Sequence, residues 1–143
     1  MNEENSPVAI AEHILNNDRF SQWLGVKIIA CKTGYSKISM LIREEMVNGL
    51  GIVHGGITFA LADSAFAFAC NSYNRRSVAL DASINFIKPA LLGDELTAEA
   101  NEIHNGKSTG LYQISVFNQK KADRKSTRLN SSHSSVSRMP SSA

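Results

Sequence analysis

The stretch GIVHGGITFALADSAF, residues 51–66, sets His54, Gly55 and Gly56 ahead of an almost wholly apolar run and then places one acid, Asp63, in its middle. An ionised carboxylate on a buried helix needs a local hydrogen-bond partner, a shift to the neutral form, or a place at the wall of a site. Taken singly, each residue has an ordinary structural use. Asp63 fits a satisfied structural acid, His54 a bond to the first turn of a helix, and Gly55-Gly56 the punctuation that enters one. Together they describe chemistry. A helix N-terminus offers unpaired N–H groups and the positive end of a dipole, and glycine lets a ligand oxygen approach them. Such donors, aimed at an acyl carbonyl, stabilise the charge that develops when a nucleophile adds, and a carboxylate that activates water or attacks directly completes an acyl-transfer site.

The spacing limits how such a site is built. Eight residues separate Gly55 from Asp63, about 12 Å along an α-helix and roughly 80° around it, too far for both to contact one carbonyl. Two chains related by a twofold axis overcome this if the helix start of one meets Asp63 of the other, so the chemistry predicts a homodimer at least.

The elements that must hold these residues can be read along the chain. Residues 8–24 space Ile10, Ile14, Leu15 and Phe20 as one short helix ending at Gly25. Val26–Cys31 and Ser36–Ile42 form a hairpin around Thr33-Gly34, with Ile38, Met40 and Ile42 on one side of the second strand. The run Gly56–Asn71 is rich in Ala, Leu and Phe and apolar nearly all round, the pattern of a helix enclosed on most sides. Ser77–Phe86 alternates, putting Val78, Leu80, Ala82, Ile84 and Phe86 on a predicted core face. Asp94–His104 and Ser108–Asn118 follow as strands joined at Asn105-Gly106. This order predicts an α+β fold, a curved antiparallel β-sheet wrapped around a long central helix at about residues 55–71.

Composition bounds the function classes. At 143 residues, 43% hydrophobic and 20% charged, the chain is globular and about one domain. Its longest apolar stretch, Ile57–Cys70, is short of the roughly 20 residues that span a bilayer, so no membrane association is expected. The opening MNEENSPVAIAEH lacks the blocks of a secretory signal, and Cys31 and Cys70 sit among apolar neighbours, pointing to the reducing cytoplasm. No basic aromatic surface indicates nucleic acid, no nicotinamide or flavin fingerprint occurs, and His13, His54, His104 and His133 are scattered without metal-ligand spacing. The expected metal and cofactor content is therefore none.

The net charge of +2 comes from the end of the chain. From Asp123 the text DRKSTRLNSSHSSVSRMPSSA holds eight serines and a net charge of +3, leaving −1 for residues 1–122. Its opening, DRKSTRLNSSH, resembles one reading frame of a common sequencing-library adapter. The tail, residues 120–143, therefore reads as non-native from about Asp123 and as too polar to offset its ordering entropy, so disorder is expected there. Residues 1–119 form the single domain.

The stretch NGLGIVHGGITFALADSAFAFACNS resembles the signature of hotdog-fold acyl-CoA thioesterases, most closely the phenylacetate-degradation (PaaI) type, with NG, HGG and LAD at matching spacings. The likeness extends through INFIKPALLGDELTAEA and GKSTGLYQISVFNQ. It implies a hotdog fold, a homotetramer of dimers with sites between chains, and hydrolysis of an acyl-CoA, with coenzyme A as part of the substrate. On that resemblance Asp63 matches the catalytic carboxylate, nucleophile or general base, and Gly55 the amide that polarises the thioester carbonyl. Asn48 and His54 match positions that orient water or shape the turn. Gly56, Asn85, Phe86, Lys88, Lys107, Ser108 and Thr109 fall where the substrate is held. Arg75 and Arg76 are further cations suited to coenzyme A phosphates.

The acyl group is favoured as hydroxyphenylacetyl or a related aryl group by resemblance alone. Phe59, Phe66, Phe68 and Tyr73 are open to use either in an aryl pocket or in the core. A departure from the family lies at the end, where the last apolar-alternating strand is expected to be missing. Two other activities fit the same fold: a non-catalytic acyl-CoA or acyl-carrier binding module, and a hydratase or dehydratase that leaves the thioester intact.

Overall fold

The computed structural model describes residues 5–120 and the backbone of residues 130–138. Two short helices open the chain, α1 (Pro7–Asn16) and α2 (Arg19–Leu24). The single helix expected over residues 8–24 is divided because Asn17 caps the first, and Asp18, accepting from the Ser21 amide, starts the second. Gly25 ends α2 with a left-handed φ of 82°.

The hairpin β1 (Lys27–Lys32) and β2 (Tyr35–Leu41) turns at Gly34, whose φ of 72° is the left-handed conformation that suits glycine. A loop with one 3₁₀ turn at Glu44–Met46 leads to the central helix α3 (Gly55–Cys70). Strands β3 (Ser77–Phe86), β4 (Glu95–Asn105), β5 (Thr109–Phe117) and β6 (Asn130–Arg138) complete the chain. All six strands form one sheet in the order β1-β2-β4-β5-β6-β3, and every neighbouring pair is antiparallel.

Helix α3 lies across the middle of this sheet. Its Leu61, Ala65, Phe66, Phe68 and Ala69 pack among Ile38 and Met40 of β2, Leu96, Ala98 and Ala100 of β4, and Tyr112, Ile114 and Val116 of β5, all buried. Alanines on the helix and on β4 let the two layers approach closely, and removal of this apolar surface from water is the main stabilising term. Polar ties fix the helix along its length: Ser36 Oγ donates to the Ala65 carbonyl at 2.5 Å, and the Gly34 amide to Ser72 Oγ at 2.8 Å. Phe66 and Phe68 thus belong to the core, and Tyr73 donates to Glu102 at the far end of α3, so neither use is that of an aryl pocket.

Two expectations are corrected. The final strand is not missing: the backbone of Asn130–Arg138 occupies the slot between β5 and β3, pairing with both. Ladder bonds need only main-chain donors and acceptors, so a serine-rich segment without apolar alternation fills a gap left by two strand edges. This also replaces the disorder expected across residues 120–143 at those nine positions, while residues 121–129 and 139–143 lie outside the described part. The second correction concerns β3. Its predicted core face is open, with Val78 51% and Leu80 61% exposed, because β3 is the last strand of the sheet, beyond the central strands that α3 covers.

Candidate functional site

The loop before α3 is built to deliver the helix start. Asn48 Oδ1 accepts from the amides of Leu50 at 2.9 Å and Ile52 at 3.2 Å, folding the loop on itself. The Val53 amide then bonds the Ala90 carbonyl and the His54 amide the Met46 carbonyl, both at 2.9 Å. His54 takes the N-cap position in extended conformation, its side chain exposed and making no capping bond. Asn48 and His54 therefore act here through loop shape and backbone. Gly55 and Gly56 are the first two helical residues, whose amides have no acceptor within the helix.

A cavity of about 350 Å³ opens on this helix start, lined by Ile52, Val53, Gly55, Thr58, Phe86, Ile87, Lys88, Pro89 and Ala90. Its walls are mostly apolar, with one cation, Lys88. The Phe86 ring lies so close to Gly55 that a β-carbon there would stand 3.0 Å from Phe86 Cζ. The approach of the ring thus favours glycine, and the same absence of a side chain leaves the amide open to a small oxygen ligand. Three of the sequence candidates, Gly55, Phe86 and Lys88, meet in this cavity. Gly56 sits exposed beside it, with nothing within 4 Å of the position its β-carbon would take.

Asp63 stands apart, two helical turns further along α3. Its neighbours Leu61, Ala62, Ser64, Ala65 and Phe66 are buried, whereas Asp63 is exposed to solvent in the single chain. It makes no hydrogen bond or ion pair with a described residue. Enough protein surrounds the carboxyl, however, that burial raises its pKa above the ordinary carboxylate value, and the charge of Asp18 adds to the rise. An unpaired carboxylate held basic in the middle of an apolar helix has the properties of a general base or nucleophile.

The remaining candidates fall at the opposite end of the sheet. Lys107, Ser108 and Thr109 sit exposed at the β4–β5 turn, and strand register places Thr109 level with Val78 through their common partner Ser137. Phe86 is eight residues further along β3, about 27 Å away. Within one chain they do not converge on the Gly55 cavity. Asn85 lies exposed on β3 beside Phe86. Arg75 donates to the Lys107 carbonyl, and with Arg76 it lines a separate groove of about 760 Å³ formed by α1, α2 and the end of α3.

Sequence reasoning missed the cavity walls Ile52, Val53 and Thr58, and it missed Asp18. The Asp18-x-x-Ser21 spacing marks a helix start, but nothing in it places that start against α3, where Ser21 Oγ lies 2.8 Å from Ser64 Oγ. Among the described residues no cluster of three metal-ligating side chains occurs, and no helix is long and apolar enough to cross a membrane.

A sheet wrapped around one buried helix, with a glycine amide opening on a cavity at the helix start and an acid two turns on that is unpaired among the described residues, is the architecture of the hotdog thioesterases. Residues 50–124 match the thioesterase superfamily, and the chain belongs to that family, among the hotdog-fold acyl-CoA thioesterases of the PaaI type. It is 42% identical over 109 residues to the acyl-coenzyme A thioesterase PaaI of Escherichia coli, covering 76% of this chain and 78% of the relative. A putative esterase of Archaeoglobus fulgidus is 38% identical over 109 residues, 76% and 71% of the two chains. The solved structure of E. coli PaaI, from the phenylacetic acid degradation operon, superposes with a TM-score of 0.85 at 36% identity over 91% of each chain.

Proposed function

We propose that the protein hydrolyses acyl-CoA thioesters to the free acid and coenzyme A, with a preference for an aryl or medium-size acyl group of the hydroxyphenylacetyl kind. The observation that carries the activity is the Gly55 amide opening into an apolar cavity while the only acid on α3, Asp63, remains unpaired. The thioester carbonyl oxygen accepts from the Gly55 N–H, which stabilises the oxyanion as the tetrahedral centre forms. Asp63 takes the proton of the attacking water, or adds to the carbonyl itself, and the C–S bond breaks to release coenzyme A, whose sulfur ends as the thiol. No further cofactor is used. The operon named for the E. coli relative supports the aryl preference.

The site takes its acid from a second copy. Separation of about 12 Å along one helix requires it, and the open edge of β3, with Val78 and Leu80 exposed, supports pairing of two such edges about a twofold axis. Antiparallel pairing of the β3 edges brings the Lys107–Thr109 turn of one copy toward the Phe86 end of the other. Lys88, Asn85 and Phe86 of one chain and Lys107, Ser108 and Thr109 of its mate then hold the coenzyme A, and two dimers form a homotetramer. The two cysteines, both buried, fit the reducing cytoplasm. Residues 1–119 are the catalytic domain, and the adapter-like tail is non-native; a transcript crossing codons 118–126 with uninterrupted coding sequence would refute that last point.

The test is thiol release by the purified chain from a panel of aryl and aliphatic acyl-CoA esters, with the Asp63→Asn variant alongside and mass measured by light scattering. Release that falls at least ~10²-fold in the variant is the expected result. Full activity in Asp63→Asn, or in a monomer, would overturn the assignment. Binding of CoA esters without release would select the binding module.

A further inference from the structure

We propose that the hydroxyl of Thr58 is a specificity-determining group in the Gly55 cavity, where it hydrogen-bonds an oxygen substituent carried by the acyl group. This rests on the reading of that cavity as the thioester site and deepens it by naming the residue that selects the acyl group. Thr58 lies on the cavity wall and is only 1% exposed. Its hydroxyl makes no hydrogen bond with a described residue. Threonine within a helix commonly turns its hydroxyl back to the carbonyl three or four residues earlier, yet here the His54 carbonyl takes the Ile57 amide at 3.0 Å and not this hydroxyl. Other hydroxyls buried along α3 are bonded. Ser64 pairs with Ser21 at 2.8 Å, Ser72 donates to the Ala69 carbonyl at 2.6 Å, and Ser36 donates to the Ala65 carbonyl. A buried hydroxyl left without a partner costs free energy that a ligand recovers by bonding it. The next turn of α3 brings Leu61 and Ala62, both buried and apolar, which leaves the cavity as the side from which a partner comes.

The place of Thr58 decides which part of the substrate it meets. A volume of about 350 Å³ is at the small end of ligand pockets and too small for a whole acyl-CoA, so the acyl end is what enters. Lys88 is exposed whereas Thr58 is buried, so the phosphates of coenzyme A stay on the open side with the cation and the acyl group meets Thr58. Thr58 is three residues on from Gly55, a rise of about 4.5 Å and a turn of roughly 60°, which puts both on one side of the helix. With the thioester carbonyl oxygen on the Gly55 amide, an oxygen bonded to Thr58 stands about 4–6 Å from it. A hydroxyl at the ortho or meta position of an arylacetyl group reaches that distance. An unsubstituted ring fills the same space and leaves the Thr58 hydroxyl unpaired, which disfavours it.

The test compares kcat/KM for thiol release from phenylacetyl-CoA and from its 2-hydroxy and 3-hydroxy ring derivatives, in the full chain and in Thr58→Val. Valine keeps the shape of the side chain and removes the hydroxyl. The expected result is that the ratio of kcat/KM for at least one hydroxylated ester to that for the unsubstituted one falls about tenfold, and that Thr58→Ser restores it. No bond within the described chain is lost, so Thr58→Val should melt no lower than wild type. Equal proportional changes on all three esters, with or without a lower melting temperature, would mean a hydroxyl that serves the fold or an internal water, and would overturn the proposal. Thr58→Ala takes the place of the valine variant should that fail to fold. If the wild type releases no thiol from any ester, dissociation constants for the same three esters are compared. A loss of about tenfold confined to a hydroxylated ester then keeps Thr58 as the selecting group while the hydrolytic reading fails, and unchanged ratios of the constants remove Thr58 as well.

Discussion

Replacing Gly55 by alanine adds one methyl group at the point where the helix start, the Phe86 ring and the proposed carbonyl meet. The new β-carbon would stand 3.0 Å from Phe86 Cζ and 3.1 Å from Cε1, against the 3.5–4.0 Å of ordinary carbon contact, so the ring must move by about half an ångström or more. Phe86 is 57% exposed and has room to swing outward. Alanine also gains about 0.5–1 kcal/mol over glycine within a helix. These effects oppose each other, and the net change in stability should stay within about 1 kcal/mol, a shift of a few degrees in melting temperature. Activity responds differently. The amide remains, but the methyl and the displaced ring now crowd the approach to it, and loss of one oxyanion donor costs about 10²–10³-fold in kcat. The assay is thiol release from an aryl-CoA by wild type, Gly55→Ala and Gly56→Ala, with melting curves for each. Gly56→Ala is the control, since nothing lies within 4 Å of its β-carbon, and it should keep its rate within about twofold. A Gly55→Ala variant with undiminished kcat would refute the assignment of that amide, and an equal fall in Gly56→Ala would remove the special place of Gly55.

Other outcomes follow from the same geometry. Because the folded protein raises the Asp63 pKa, it binds that proton more tightly than the unfolded chain does, so stability from this group is present at low pH and declines as pH rises from about 4 through the raised value. Asp63→Asn should therefore melt slightly higher than wild type at pH 7, by no more than about 1 kcal/mol given its exposure and solvent screening, and equally at pH 3; a lower melting temperature at pH 7 would contradict this. The base must be ionised to act, so kcat/KM should fall on the acid side with a midpoint above about 4, and a midpoint at or below that value would be inconsistent with Asp63 as the titrating group. Gly34→Ala should destabilise by about 1–2 kcal/mol, since φ is 72° and a β-carbon would meet Glu102 Oε2 at 2.9 Å. Thermal melting checks it, and an unchanged melting temperature would mean that the β1–β2 turn rearranges freely.

The central helix was legible because its signal is local. An unbroken apolar run after two glycines admits one reading, and α3 starts at Gly55 and ends at Cys70 within a residue of the sequence boundary. The hairpins were legible for the same reason, each turn carrying its own glycine. The first helix was misread as continuous because a cap at Asp18 depends on side-chain bonds that periodicity does not register. The face of β3 was misassigned because alternation shows that one side is apolar without showing what covers it. At the sheet edge, among the described residues, most of that face stays exposed.

The sequence by itself determined the chemistry available: a glycine amide at a helix start, an acid eight residues on, and the inference that one chain cannot bring both to a single carbonyl. These depend only on residue type and helix geometry, which are local. The tertiary structure decided what lies against them. It set Phe86 across Gly55, separated Lys107–Thr109 from the Gly55 cavity by most of the length of β3, and seated β6 between β5 and β3. Each is a contact between segments far apart in the chain, fixed by how the sheet and helices pack, and no local pattern encodes it.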